Sequence, residues 1–192
     1  MSNSLRSLAL AAFAAVVLQA APAGAAPAHW TVDKTASSLT FKSSFGGDAF
    51  QGAFRHWDAD IVFDPKALAG SKVVVTVEPG SASTGDSGRD EAIPGSDWFD
   101  VAHFPRATFA SQSFKDLGGG RYEAAGVLTI RGIAKPMVLP FTLAITGGVA
   151  KMTSQIAVNR NAFGVGQGQF KSAETVPLDV ALNISLTARR AP

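Results

Sequence analysis

Apolar and polar residues alternate along Ser38-Leu39-Thr40-Phe41-Lys42-Ser43-Ser44-Phe45, the period-two pattern of a strand with one buried face. The alternation resumes over Phe50–Phe63, but its phase slips. Phe50, Phe54 and His56 share one parity, and Trp57, Ala59, Ile61 and Phe63 share the other. A bulge or bend near Arg55–Trp57 accounts for the slip, and barrels use such bends to curve. Asp64-Pro65 breaks the segment, and Lys72–Val77 reads as a β-branched strand. Gly80–Gly95, rich in Gly, Ser and Asp, is the longest expected non-strand region, with one short helix around Arg89–Ala92 stopped by Pro94. Arg106–Phe114 and Tyr122–Ile130 flank Gly118-Gly119-Gly120, a hairpin signal. Ile130–Ile133 turns the chain into Met137–Ile145, and Gly147-Gly148 turns it into Val149–Val158. The Gly-rich loop Phe163–Gly168 precedes a closing strand, Val176–Ala188. About eight antiparallel strands at hairpin spacing predict one all-β domain, an up-and-down barrel or a sandwich.

The start of the chain has a different character. Residues 1–25 read as a secretory signal peptide: Arg6, the apolar run Leu8–Leu18, then small residues with a cleavage pattern at Ala23-Gly24-Ala25. The apolar run falls short of the about 20 residues a spanning helix needs, so no stable membrane anchor is expected. Without cysteine, the chain has no disulfide, thiolate chemistry or lipoprotein anchor. Cleavage leaves the mature domain nearly neutral, with 16 basic against 15 acidic side chains. That balance argues against a nucleic-acid partner, which calls for a dense basic field.

Several motifs suggest catalysis but lack its context. Gly85-Asp86-Ser87-Gly88 looks like a serine-protease loop, yet no triad surrounds it. Asp58, Asp60 and Asp64 lack the Gly and Glu of a calcium loop. His29, His56 and His103 have no metal-ligand spacing. Neither an enzyme nor a metal site is expected.

Taken in order, a set of short motifs resembles the YceI-like proteins, the polyisoprenoid-binding periplasmic barrels. They are Trp30-Thr31-Val32-Asp33, Ser37–Phe41, Arg89-Asp90, Trp98–Val101 with Phe104-Pro105, and Thr108-Phe109. Gly126–Gly132, Lys135-Pro136, Leu139-Pro140-Phe141 and Arg160 with Phe163-Gly164-Val165-Gly166 follow. The resemblance covers residues 28–190. It implies an eight-stranded, antiparallel, lipocalin-like barrel with one or two short helices and an apolar channel for a long isoprenoid tail. The Arg89–Phe109 stretch looks closest to members found beside, or fused to, membrane cytochromes of the b561 type. That likeness implies a membrane redox partner.

The aromatic inventory agrees with an apolar interior: 13 Phe and 3 Trp stand against one Tyr. The candidate channel wall comprises Phe41, Phe45, Phe54 and Trp57 from the first half, with Phe109, Leu128, Phe141 and Phe163 from the second. Arg89, Asp90, Trp98, Phe99 and His103 are candidates for the mouth. Arg89 and Arg160 either meet a polar or anionic head group or brace a loop through an ion pair with Asp90 or Asp100. Gly52, Ala53, Ala59, Ala124, Ala125 and Gly126 either leave a channel or are packed over by neighbouring Phe. The expected function is a periplasmic carrier or store of an isoprenoid such as a quinone or prenyl lipid, with no other cofactor. The alternative is a module that docks on a membrane redox protein, with lipid only as filler.

Overall fold

The computed structural model describes residues 27–192. The segment read as a signal peptide lies outside the described residues. Three strands of the sheet are broken into pairs of shorter ones. They are β1 (Ala28–Val32) with β2 (Ser38–Phe45), β3 (Asp48–Phe54) with β4 (Trp57–Phe63), and β5 (Lys72–Val77) with β6 (Ala82–Ser83). The single α-helix among the described residues, α1 (Ser87–Ala92), is followed by long strands. These are β7 (Ala107–Gly118), β8 (Arg121–Ile130), β9 (Ile133–Thr146), β10 (Val149–Asn159) and β11 (Asp179–Arg190).

Antiparallel pairing runs β1-β4-β5-β7-β8-β9-β10-β11 and returns to β1, so eight strands close into a barrel. The last strand holds the closure together. Ala181–Ser185 of β11 pair with β2, and Ala188–Arg190 further along pair with β1. The phase slip in the sequence is the break at Arg55–His56 between β3 and β4. It lets Phe50 and Phe54 face inward on one side of the bend and Trp57, Ala59 and Phe63 on the other. The Gly118–Gly120 tract is a hairpin tip with φ of 79°, 64° and 75°, a backbone that glycine alone adopts without steric cost.

The barrel is packed more tightly at one end. Trp30, Phe63, Tyr122, Leu186 and Ala188 form a buried cluster there, and Trp30 Nε1 donates to the Phe63 carbonyl at 2.9 Å. The Phe63 ring meets Phe114, Tyr122 and Phe141 edge-on at 5.2, 5.9 and 6.3 Å. Burying each such ring contributes about 1.5–3 kcal/mol.

Two loops differ from the expected boundaries. The strand-free stretch runs from Thr84 to Arg106 rather than Gly80–Gly95. Pro94, Pro105 and the left-handed backbone of Asp100 (φ 48°) keep Trp98–Phe104 from extending into a strand. The last strand begins at Asp179 rather than Val176, because the carbonyls of Val176 and Pro177 are taken by Arg160.

The wall is also incomplete. β9 and β10 pair only over Thr142–Thr146 and Val149–Thr153. Beyond that point Ile133–Phe141 of β9 pair with β8 alone. Thr142 faces β10, so Pro140, Val138 and Pro136 turn the same backbone edge toward the seam. Two of these three residues have no N–H to leave unpaired. Ser154 Oγ bridges the parting strands, donating to the Pro140 carbonyl at 2.6 Å.

Candidate ligand-binding site

Above the more tightly packed end, the barrel opens into a cavity of about 560 Å³, within the range of small-molecule sites. Its wall is built from the inward rows of β2 and β3, the upper parts of β8, β10 and β11, α1 and the two long loops. A second chamber of about 120 Å³ lies deeper, among Trp57, Ala59, Phe109, Ala124 and Phe141. Leu39 lines both.

The small strand residues do not create this space. The Phe41 ring lies over its cross-strand neighbour Gly52, and the Phe109 ring lies over Gly126, where a Cβ would collide with each ring. The opening comes instead from strands that break and diverge, roofed by loops. Packing against Phe54, at 5.1 Å between centroids, holds Phe41 in the wall, and Phe99 meets Phe54 edge-on at 6.2 Å. At the rim, Trp98 packs against Phe170 at a tilt, 5.0 Å between centroids, and Phe170 meets Phe45 at 6.3 Å.

Eight of the fourteen candidate residues line the large cavity: Phe41, Phe45, Phe54, Arg89, Trp98, Phe99, Leu128 and Arg160. Trp57, Phe109 and Phe141 face the deeper chamber. The remaining three stand elsewhere. Phe163 is buried with Val158 and Val165 against Met137 of β9, wedging the interior beside the open seam. His103 is exposed and pairs with Asp100 at 2.9 Å. Asp90 turns away to accept from the Thr84 amide and hydroxyl, both at 2.7 Å, and from the Ser83 hydroxyl at 3.2 Å. Those bonds, the Thr84 hydroxyl foremost, hold the Asp90 carboxyl below its ordinary range.

Arg160 is 4% exposed, and no carboxylate pairs with it among the described residues. Its Nε donates to the Pro177 carbonyl at 3.0 Å, and its two terminal nitrogens to carbonyls of Val165, Gly166, Phe170, Ser172 and Val176. Burial pushes its pKa down, and the ring of carbonyl dipoles solvates the cation. The Gly-rich loop is explained by this contact. Gly166 (φ 82°) has no room for a Cβ beside the guanidinium. Arg131 does similar work between the loops, donating to the Trp98 and Gly164 carbonyls at 2.6 and 2.7 Å.

Further lining residues were not singled out in the sequence: Leu39, Ser43 and Phe50 on the first hairpin, Val158 on β10, Phe170 in the second loop and Leu182 on β11. The alternation of β2 and β3 carried a signal for the first three. The others depend on how distant loops and strands converge.

An extended antiparallel barrel holding one deep apolar cavity is the architecture of a lipocalin-like binding protein. Its sequence matches the YceI-like domain over residues 30–188, and the chain belongs to that family. A UPF0312 protein of Pseudomonas savastanoi pv. phaseolicola is 31% identical over 92% of this chain and 95% of its own length. Among solved structures, Burkholderia cenocepacia BcnA is similar with a TM-score of 0.78 and 31% identity, over 81% of this chain and 98% of BcnA. A polyisoprenoid binding domain from Saccharophagus degradans shares the fold at 14% identity, with a TM-score of 0.67 over 86% of this chain and 99% of that domain.

Proposed function

We propose that this protein binds an isoprenoid lipid, a quinone or prenyl compound, with its tail in the barrel, and carries or stores it in the periplasm after export. The carrying observation is the 560 Å³ apolar cavity. At roughly 30 Å³ per heavy atom it accommodates about 19 atoms, close to a tail of four isoprene units. At about 0.8 kcal/mol per buried CH₂, a tail of about 19 carbons gains roughly 15 kcal/mol gross, at or above association costs of about 4–15 kcal/mol. The polyisoprenoid binding domain that shares the fold supports the same ligand class.

Docking on a membrane redox protein such as a b561-type cytochrome, with lipid as mere filler, fits a barrel closed by its own side chains. The open cavity favours the carrier. The test is mass spectrometry of solvent extracts from protein purified out of the periplasm. A stoichiometric prenyl lipid is expected, whereas protein that returns none and binds none when titrated overturns the carrier reading.

A further inference from the structure

Ser43 and Arg89, both in the cavity wall and both next to Phe50, keep donors without a hydrogen-bond partner among the described residues. β2 presents Leu39, Phe41, Ser43 and Phe45 to the cavity, so a serine interrupts an apolar row. Its Oγ is buried and has no hydrogen-bond partner among the described residues. A buried hydroxyl left unmet is costly, and such groups mark a place where something else binds. Directly across the strand pair from Ser43 stands Phe50. The guanidinium of Arg89 lies over that ring, 4.5 Å from its centroid.

Arg89 is held in place without being used up. Its Nε donates to Thr84 Oγ1 at 3.2 Å. Its Nη1 is 3.9 Å from Asp86, too far for a hydrogen bond, and Asp86 is already engaged in capping α1 at the Arg89 amide, at 2.8 Å. Both terminal nitrogens of Arg89 therefore lack hydrogen bonds among the described residues. Arg160, the other arginine of the wall, has its donors committed to backbone carbonyls.

We infer that Ser43 and Arg89, both next to Phe50, form a head-group subsite for a hydrogen-bond-accepting oxygen, a quinone carbonyl or a phosphate. The inference rests on the carrier reading and orients the ligand within it. The head sits beside Phe50, and the tail runs toward Leu39 and the deeper chamber. Arg89 faces the cavity beside the Asp86 carboxylate, so an ammonium head gains no net advantage there.

The test uses the purified protein stripped of lipid and four probes on one geranylgeranyl tail: no head group, a benzoquinone, a diphosphate and an amine. Wild type is expected to bind the quinone and the diphosphate about tenfold more tightly than the hydrocarbon, the effect of about one good hydrogen bond. The amine should bind no better than the hydrocarbon. In Ser43→Ala/Arg89→Gln, the quinone and diphosphate should fall to within about threefold of the hydrocarbon measured on the same variant. Arg89→Gln alone should weaken the diphosphate more than the quinone, which tells the two oxygen sources apart. If the double variant loses the hydrocarbon as well, Ser43→Ala alone, which removes one oxygen, carries the comparison. Equal wild-type affinity for all four heads, or a preference that survives the substitutions, overturns the subsite while leaving the carrier reading intact. Wild type that binds none of the four overturns the carrier reading itself.

Discussion

Arg160 is a buried cation satisfied by backbone alone. Six carbonyls point at one guanidinium, so removing it orphans acceptors spread from Val165 to Pro177 together. Arg160→Ala should cost about 2–4 kcal/mol and lower the melting temperature, with affinity per folded molecule nearly kept. Thermal melts beside ligand titrations check this, and a loss of affinity at constant melting temperature would contradict it. The sequence showed an arginine ahead of a Gly-rich loop and left two roles open, head-group contact or loop brace by ion pair. The bracing is real but needs no carboxylate. Capture of carbonyls by an arginine depends on the fold of a loop whose glycines reveal only that something comes close.

At the scale of elements, the strands were legible because alternation and Gly turns are local properties. The start of β9 was not. Lys135-Pro136 argues against a strand by propensity, and the expected boundary was Met137, whereas pairing with β8 begins at Ile133. Proline is tolerated because it faces the seam rather than the ladder. That arrangement also blunts an exposed edge. Pro136→Val with Pro140→Val should restore two N–H donors there and promote pairing between barrels. Light scattering coupled to gel filtration should then show dimers or larger species, while a monodisperse monomer would remove the role assigned to the prolines.

The short helix α1 is tied down by Asp90. Because its carboxyl is held below the ordinary value of 3.8, the stability it adds is full above that value and is lost as the pH falls through its folded pKa. Below about pH 4 the wild-type melting temperature should therefore fall more steeply than that of Asp90→Asn. Parallel slopes for the two proteins would show that Asp90 does not carry the acid sensitivity.

For the molecule as a whole, the sequence could indicate an apolar interior but not where it is empty. Gly52 and Gly126 are small residues that suggest a channel, yet Phe41 and Phe109 lie over them. The space arises where broken strands diverge and where the loops at 84–106 and 160–178 meet over the mouth, a convergence of segments far apart in the chain. Periodicity measures which face a residue takes, not how far apart two facing walls stand. The rim residues Trp98 and Phe99 were found through motif likeness, and Phe170, their neighbour in space, had no such marker.

A tail that ends against Leu39, shared by the cavity and the chamber beneath it, would make the barrel a ruler. Isoprenoid tails grow in five-carbon steps, so a fixed stop converts a continuous preference for longer chains into a sharp cut-off. Leu39→Ala should open the 120 Å³ beyond it, room for about four more heavy atoms together with the space of the lost side chain. The dominant tail extracted from the variant should then be one unit longer than from wild type, and an unchanged length profile would place the stop elsewhere. A protein graduated in this way would sort a mixed pool of prenyl lipids by size, with one leucine setting the mark.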